Sequence, residues 1–304
     1  MLTTLKQVLA QARKEAYAVG AFNVNNLEIL QAVVKAAARL KSPVILQTSE
    51  GAIEYAGMRY LKALVHEAAA EHRIPMVFHL DHGRDLAIVR QCIKSGYTSV
   101  MIDGSHLPLD ENIKVTKKVV QWAHAKGVSV EGELGTIGGA EEKIVARKII
   151  YTDPEAAHDF VEETDVDALA VAIGTSHGAY KFSGMASLDI KRLQKIKEVT
   201  KIPLVLHGAS GVPNWLVKTA EEYGAKLGRP EGVPDDQITQ AIKHGICKIN
   251  TDTDLRLAFD AGVREVIAMA PEDFDPRHIL GRARDLMQEV VEHRLKLFGS
   301  AGRA

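Results

Sequence analysis

Three histidines, each followed directly by a glycine, have the spacing that most strongly indicates chemistry in this sequence. They are His82 in "LDHG", His177 in "TSHG" and His207 in "LHGA". Three neutral imidazoles that converge on one point form a typical zinc-type site, with a position left open for a substrate oxygen. The alternative is that some of them are ordinary packed or surface histidines, since the chain has 12 histidines.

A carboxylate lies beside the first of these histidines. Asp81 and His82 come side by side at the end of the apolar run Met76–Leu80. Placing both groups at the end of a buried strand costs free energy unless something uses them, so the pair is a candidate functional site. His79 lies inside the same run, and we interpret it as a packing residue.

Short apolar runs alternate with helical patterns along the whole chain. The eight predicted strands are Val19–Asn23, Val44–Thr48, Met76–Leu80, Ser99–Ile102, Val128–Glu131, Ala168–Ile173, Leu204–Leu206 and Ile246–Ile249. The predicted helices are Leu27–Leu40, Met58–His72, Asp85–Lys94, Asp110–Lys126, Pro154–Glu163, Leu188–Val199, Pro213–Tyr223, Asp235–His244, Asp254–Ala270 and Pro276–Leu297. Eight strands, each followed by a helix, predict an α/β fold of the (β/α)₈ TIM-barrel type. The alternative is a doubly wound open sheet.

Every predicted strand ends in a polar or ionisable residue. These residues are Asn23, Ser49, Asp81, His82, Asp103, Glu131, Glu133, His177, His207 and Asn250. In a (β/α)₈ barrel the carboxyl ends of the strands surround the active site. The pattern therefore predicts one polar site at that end of the barrel.

Glycine-rich loops follow the late strands. The loops are "IGTSHG", "LHGASGVP" and "INTDTD", and Ser210 and Thr253 come just before predicted helices. Glycine lets a backbone approach a ligand, and helix N-termini favour anions, so these loops predict a phosphate site. Ordinary helix capping by Ser and Thr is the alternative.

The segment "EGELGTIGGAEEK", residues Glu131–Lys143, combines glycines with acidic residues. Gly138 and Gly139 are a candidate hinge, and Glu141 and Glu142 would then lie on a mobile lid. A solvated acidic loop is the alternative.

Composition narrows the class of protein. The chain has 304 residues, is 46% hydrophobic and carries a formal net charge of -1. We expect one barrel domain over 1–304, with an inserted surface loop around 224–236 and a C-terminal helical extension over 276–297. Without a basic block or a long apolar run, neither nucleic acid nor membrane is an expected partner. The two cysteines form no disulfide framework, which favours the cytoplasm.

Six motifs, taken together, resemble those of class II, metal-dependent ketose-bisphosphate aldolases, and most closely those acting on fructose 1,6-bisphosphate. They are "LDHG", "VMIDGSH", "EGELGTIGGAEE", "GTSHGAYK", "LHGASGVP" and "KINTDTDLR". The resemblance covers almost the whole chain. It implies a (β/α)₈ barrel that cleaves a ketose bisphosphate into dihydroxyacetone phosphate and an aldehyde.

The resemblance also implies roles for individual residues. His82, His177 and His207 would bind a divalent metal, Zn²⁺ or alternatively Co²⁺, and Asp103 and Glu133 an alternative or second metal. Asp81 would be the acid/base at the C4 oxygen, and Glu141, with Glu142 as the neighbouring candidate, would move the C3 proton. The implied substrate-binding residues are Asn23, Ser49, Gly178, Lys181, Gly208, Ser210, Asn250, Asp252, Thr253 and Arg277. A monovalent cation (K⁺, Na⁺ or NH₄⁺) would bind near the phosphate, and Arg277 would reach a neighbouring subunit of a homodimer or homotetramer.

Three alternatives remain open at this point. The "NTDTD" stretch and the long 224–236 loop favour fructose over tagatose 1,6-bisphosphate. A Schiff-base aldolase would need a lysine at a strand end, whereas Lys248 lies within a strand. A non-catalytic sugar-phosphate-binding barrel would keep the glycine loops but would need neither Asp81 nor Glu141.

Overall fold

The computed structural model describes residues 1–141, 144–146, 149–177, 187–228 and 230–304. In that part of the chain, eight parallel strands close a barrel. They are β1 (Val19–Asn23), β2 (Val44–Ser49), β3 (Met76–Gly83), β4 (Ser99–Ile102), β5 (Ser129–Leu134), β8 (Ala168–Val171), β10 (Leu204–Leu206) and β11 (Ile246–Thr251). Because β1 pairs with both β2 and β11, the sheet has no edge. The predicted (β/α)₈ barrel is confirmed, and the open-sheet alternative was wrong.

Three short strands that the sequence analysis did not predict form a separate sheet. They are β6 (Gly138–Glu141), β7 (Ile144–Ala146) and β9 (Ser176–His177), and β6 lies between the other two. Gly138 pairs with Ser176 and Gly139 pairs with His177. The two glycines predicted as a free hinge therefore lie in a hydrogen-bonded strand beside the one that carries His177.

The helices surround the barrel. They are α1 (Leu5–Glu15), α2 (Leu27–Arg39), α3 (Glu50–Ala56), α4 (Met58–Glu71), α5 (Leu86–Ser95), α6 (Leu109–His124), α7 (Pro154–Thr164), α8 (Ile190–Thr200), α9 (Asn214–Glu222), α10 (Asp235–Lys243), α11 (Thr253–Met269) and α12 (Pro276–Leu297). α1 and α3 were missed from the sequence. Thr4 begins α1 with a capping box, in which it and Gln7 bond each other's backbone N–H groups.

The interior of the barrel changes from apolar to polar along its axis. At the amino end of the strands, Leu5 and Leu9 of α1 join Ile45, Val77 and Val205 in one buried apolar cluster. α1 therefore closes this end of the barrel. Since side chains alternate along a strand, the same inward faces continue into the polar residues at the carboxyl end.

The segment expected to be an inserted surface loop is partly packed. Val233 is fully buried, and its N–H donates to the carbonyl of Ser210 (3.0 Å). α10 begins at Asp235, as the sequence predicted for this helix, and the loop ends there. The segment therefore supports the loop that follows β10.

α12 has the predicted bounds and packs against α11 and α2. Arg39 of α2 forms an ion pair with Glu292 (3.1 Å), and Arg284 donates to Gln31 (2.8 Å). Among the described residues, no helix has the length and apolar character that crossing a membrane would require.

Candidate active site

The carboxyl ends of the barrel strands bring most of the predicted site residues together in one buried region. The buried members of the predicted set are Asn23, Ser49, Asp81, His82, Asp103, Glu133, His207, Ser210, Asn250 and Asp252. They come from seven strands and the loops that follow them. The expectation of one polar site at this end of the barrel holds for these residues.

An irregularity in β3 explains how two consecutive residues can both serve the site. The pairing of β3 with β4 shifts register between Leu80 and Gly83, and the backbone of His82 has a φ of 46°. A positive φ is unusual for a residue with a side chain and often marks a functional position. The strand accordingly runs to Gly83 rather than ending at Leu80 as predicted.

Three side-chain amides hold the carboxylate of Asp81. Asn23 and Gln47 donate to one oxygen (2.9 and 3.1 Å), and Asn250 donates to the other (3.0 Å). Gln47 also donates to Asn23 (2.7 Å), so the amides orient one another. The carboxylate therefore has a fixed direction. Gln47 was missed in the sequence because it lies inside a strand that was predicted from its apolar residues.

The rings of His82 and His207 contact each other with their planes nearly perpendicular, at 81°. Nε2 of His82 lies 2.8 Å from Nδ1 of His207, and both rings are buried. His82 donates from Nδ1 to Asp103 (3.3 Å), which leaves Nε2 directed at His207. Burial lowers the pKa of His82, but neighbouring carboxylates, Asp81 foremost, outweigh it and raise the pKa to about 10. The negative charge of these carboxylates stabilises a cation bound beside His82.

Asp103 and Glu133 extend the cluster on the far side of His82. Arg84 donates to Asp103 from Nε (2.9 Å) and lies 2.7 Å from it through a second nitrogen. Burial raises the pKa of Asp103, but the hydrogen bond and charge of His82 outweigh it and hold the pKa well below its usual range. Burial, reinforced by the charge of Asp103, raises the pKa of Glu133 to about 8.

Two groups of ligand atoms at this site have the composition and spacing that a metal ion requires. In each group, one atom per residue lies within 4.8 Å of the others: Asp81, His82 and His207 form the first, and His82, Asp103 and Glu133 form the second. Glu133 Oε2 is buried without a hydrogen-bond partner in the described part of the chain. Nitrogen and carboxylate donors of this kind suit Zn²⁺ or Co²⁺. The residues therefore fit a divalent metal.

A buried charged pair lies beneath His207. Glu131 accepts from His207 Nε2 (2.7 Å) and from Lys248 Nζ (2.8 Å). Lys248 is fully buried, which argues against the Schiff-base alternative at this lysine, because that reaction needs an amine open to substrate. His79 donates to or accepts from Ser99 (2.9 Å), and burial holds its pKa well below its usual value. This agrees with the interpretation of His79 as a packing residue.

The loops after β10 and β11 contact each other. Gly208 has a φ of 60°, and a Cβ there would lie 2.6 Å from the carbonyl of Ser176, so only glycine fits. The backbone N–H of Asp252 donates to Ser210 Oγ (3.3 Å). Thr253 is the first residue of α11 rather than a residue before it, and Ser210 lies four residues before α9. The two loops thus meet where a phosphate was predicted.

Two predicted substrate residues have structural partners of their own. Ser49 caps α3 by accepting from the N–H of Ala52 (3.1 Å). Arg277 is exposed at the start of α12 and pairs with its neighbour Asp275. Arg277 is therefore not brought into the site by this chain.

Five candidate residues lie at least partly outside the described structure. Gly178 and Lys181 lie outside the described residues, as does the alternative candidate Glu142. The backbones of Glu141 and His177 belong to β6 and β9, but their side chains lie outside the description. The roles of these residues stay predictions.

Comparison with known proteins identifies the class. Residues 3–303 match the family model described as "Fructose-bisphosphate aldolase class-II". The chain is 52% identical to a fructose-bisphosphate aldolase of Giardia intestinalis, over 100% of this chain and 94% of that protein. It is 50% identical to one of Thermus caldophilus, over 100% of both chains. The crystal structure of the YdjI aldolase from Escherichia coli K12 superposes with a TM-score of 0.83 at 32% identity, covering 100% of both chains.

The chain belongs to the class-II fructose-bisphosphate aldolase family. It is therefore a lyase of the metal-dependent class, and the resemblance noted from its six motifs is confirmed. The barrel, the donor set and the family agree on one kind of chemistry, the reversible cleavage of a carbon–carbon bond in a sugar phosphate.

Proposed function

We propose that this chain cleaves fructose 1,6-bisphosphate to dihydroxyacetone phosphate and glyceraldehyde 3-phosphate, with Asp81 as the base at the C4 hydroxyl. The observation that carries the proposal is the placement of Asp81 beside His82, with its carboxylate fixed by three amides. A base for the C4 proton must be rigid and adjacent to the bound carbonyl group. A barrel that only bound sugar phosphates would not need this arrangement.

His82 would bind the metal through Nε2 and His207 through Nδ1, and His177 would be the third ligand. The convergence of the first two nitrogens at 2.8 Å supports this. When bound, Zn²⁺, or Co²⁺ in its place, stabilises the negative charge that develops on the carbonyl oxygen as the bond breaks. Asp103 and Glu133 would hold an alternative or second metal, although Arg84 already occupies one oxygen of Asp103.

Glu141 would return a proton to C3 after Asp81 has removed one from the C4 hydroxyl. The pairing of β6 with β9 supports this, because it keeps the backbone before Glu141 beside the backbone of His177. Asn23 would contact the reacting carbons, and Ser49 would do so from the start of α3. Glu142 is the alternative to Glu141.

The loops after β10 and β11, with the segment after β9, would bind the phosphate of dihydroxyacetone phosphate. The residues assigned to this task are Gly178, Lys181, Gly208, Ser210, Asn250, Asp252 and Thr253. The close approach at Gly208 and the bond between Asp252 and Ser210 support a loop cluster of fixed shape. A monovalent cation would assist there.

At the level of the whole protein, we propose one domain over 1–304 that acts as a homodimer or homotetramer in the cytoplasm. The packing of α12 against α2 supports one domain. Arg277 would reach the second phosphate in a neighbouring subunit. The exposed apolar residues Met269 and Phe274 lie close to it in the sequence, as expected of an interface.

A coupled assay on fructose 1,6-bisphosphate and tagatose 1,6-bisphosphate tests the substrate. We expect kcat/KM to favour the fructose compound, whose C4 hydroxyl would face Asp81. Equal or greater kcat/KM for the tagatose compound would contradict the substrate assignment but not the family.

A further inference from the structure

Glu131 lies one layer below the histidines. None of the hydrogen bonds described above joins it to Asp81 or to another carboxylate. It is fully buried in the barrel. Its two oxygens have different partners: Oε1 accepts from His207 Nε2 (2.7 Å), and Oε2 accepts from Lys248 Nζ (2.8 Å). The cleavage reaction described above gives Glu131 no part, so its burial needs another explanation.

The first bond determines which nitrogen of His207 carries the proton. A carboxylate accepts hydrogen bonds, so Nε2 of His207 must be the protonated nitrogen. The lone pair then lies on Nδ1, the nitrogen that points toward His82 Nε2 at 2.8 Å. A neutral histidine binds a metal only through its unprotonated nitrogen. Glu131 thus selects the tautomer and orients the ring.

The bond from Lys248 explains how the carboxylate of Glu131 can remain buried in the barrel. A fully buried carboxylate costs several kcal/mol unless a partner offsets the charge. Lys248 is also fully buried, and it lies next to a register shift in the pairing of β10 with β11. Its ammonium group therefore neutralises Glu131 and fixes the second oxygen. His79 Nε2 lies further away, 3.7 Å from Oε2, and has a weaker part in holding the carboxylate.

We propose that Glu131 and Lys248 are positioning residues that set the tautomer and orientation of His207 and thereby the affinity of the site for its divalent metal. The inference rests on the proposed role of His207 as a metal ligand. It assigns no new chemical step, because neither residue touches the substrate. Outer hydrogen bonds of this kind typically contribute about 10- to 100-fold to metal affinity.

Three variants and two controls test the inference. Glu131→Gln keeps the shape but can donate to Nε2, which favours the wrong tautomer. Lys248→Met removes the positive charge and leaves Glu131 buried without it. The double variant, Glu131→Gln with Lys248→Met, removes both charges. Arg294→Met is the matched control, because it breaks another fully buried ion pair, with Asp254 (3.0 Å), away from the histidines.

His207→Ala is the second control and separates the inference from the proposal beneath it. For all variants, we would measure the dissociation constant of Zn²⁺ by competition with a chromogenic chelator. The visible absorption spectrum of the Co²⁺ form and the melting temperature of the metal-free protein complete the comparison.

We expect Glu131→Gln to weaken Zn²⁺ binding about 10- to 100-fold and to change the Co²⁺ spectrum. Lys248→Met should lower the melting temperature, and the double variant should recover that temperature without recovering the affinity for Zn²⁺. Arg294→Met should lower the melting temperature with unchanged Zn²⁺ affinity.

If Glu131→Gln kept its Zn²⁺ affinity while His207→Ala lost Zn²⁺ affinity, the inference would be overturned, but the proposed ligand role of His207 would not. If Zn²⁺ affinity instead followed the melting temperature in every variant, including Arg294→Met, the two residues would be merely structural. Unchanged Zn²⁺ affinity in His207→Ala would contradict the proposed ligand set itself.

Discussion

Asp81 is the side chain on which the proposed chemistry depends most, and both of its oxygens are held. Asn23 and Gln47 bond one oxygen and Asn250 bonds the other, so the carboxylate cannot swing far. A fixed base suits a proton that always leaves from the same place, the C4 hydroxyl. Glu141, by contrast, is assigned to the proton on C3.

Asp81 and Glu141 should therefore fail in different ways when they are replaced. Asp81→Ala should lower carbon–carbon cleavage by a factor on the order of 10² to 10⁴, as expected for a lost general base. It should keep most of the exchange of the C3 proton of dihydroxyacetone phosphate with solvent, because no C4 oxygen takes part. Glu141→Ala should lose that exchange.

Isotope exchange into dihydroxyacetone phosphate at full metal occupancy measures the difference. Loss of exchange in Asp81→Ala together with its retention in Glu141→Ala would show that the two roles are reversed. Retention in both variants would move the second role to another residue, with Glu142 tested next.

For single residues, the sequence predicted which side chains belong to the site better than it predicted their hydrogen-bond partners. The histidines and carboxylates could be found because each follows a strand, and strand ends converge in a barrel. The bond from Glu131 to Lys248 could not be predicted, since it joins β5 and β11, two strands that are not neighbours in the barrel. Gln47 was missed for a similar reason, because it looks like one polar residue in an apolar strand.

Among the elements, β3 determines the geometry of the site. Its irregular pairing with β4 directs Asp81 and His82 to the same region, and it does so next to Gly83. A Cβ at Gly83 would lie 2.6 Å from the carbonyl oxygen of Met101 and 2.8 Å from Leu80 and Val89 side-chain atoms. The backbone of the irregular segment can lie where it does only because this residue is glycine.

The same substitution at two glycines should therefore have opposite effects. Gly83→Ala should lower the free energy of unfolding by about 1–3 kcal/mol through overpacking, and it should weaken metal binding by moving His82. Gly281→Ala is the control, because a Cβ in that part of α12 meets nothing within 4 Å. It should raise the free energy of unfolding by about 0.5–1 kcal/mol.

Urea unfolding of the two metal-free variants measures both effects. If Gly83→Ala were as stable as the unaltered protein, the close contact with Met101 would not constrain β3. An equal loss in Gly281→Ala would point to a general intolerance of the barrel to substitution.

Elements with a clear sequence signal were predicted more reliably than elements without one, whatever their length. The bounds of β1, β4, β10 and α12 agree with the sequence analysis, and each has a uniform apolar pattern or a clear start at proline. α3 has only 7 residues and β9 only 2, too few for a period to be visible. α1 carries a clear apolar face, Leu5, Leu9 and Ala12, which could have been predicted from its spacing.

At the scale of the whole molecule, the barrel presents its site at one end but leaves Arg277 outside it. Among the contacts described above, Arg277 bonds only its neighbour Asp275, and it is exposed in the first turn of α12. Our proposal that it completes the site of a neighbouring subunit rests on the resemblance noted from the sequence and on the exposed Phe274 close by.

Mixing two inactive variants tests this proposal. Arg277→Ala and Asp81→Ala are each expected to be inactive or nearly so as pure proteins. After subunit exchange, a mixed oligomer contains sites with an intact Asp81 from one chain and an intact Arg277 from the other, so partial activity should return. No return of activity, although exchange has been demonstrated by mass spectrometry, would contradict the proposal.

We propose above that this barrel cleaves fructose 1,6-bisphosphate with a divalent metal held by the buried histidines. The most direct test is the coupled cleavage assay before chelation, after exhaustive chelation, and after addition of Zn²⁺ or Co²⁺, with metal content measured in each sample. We expect cleavage to be lost with the metal, to recover on its return, and not to recover in His207→Ala at the same metal concentration. Full cleavage by a protein in which elemental analysis finds no metal would contradict it.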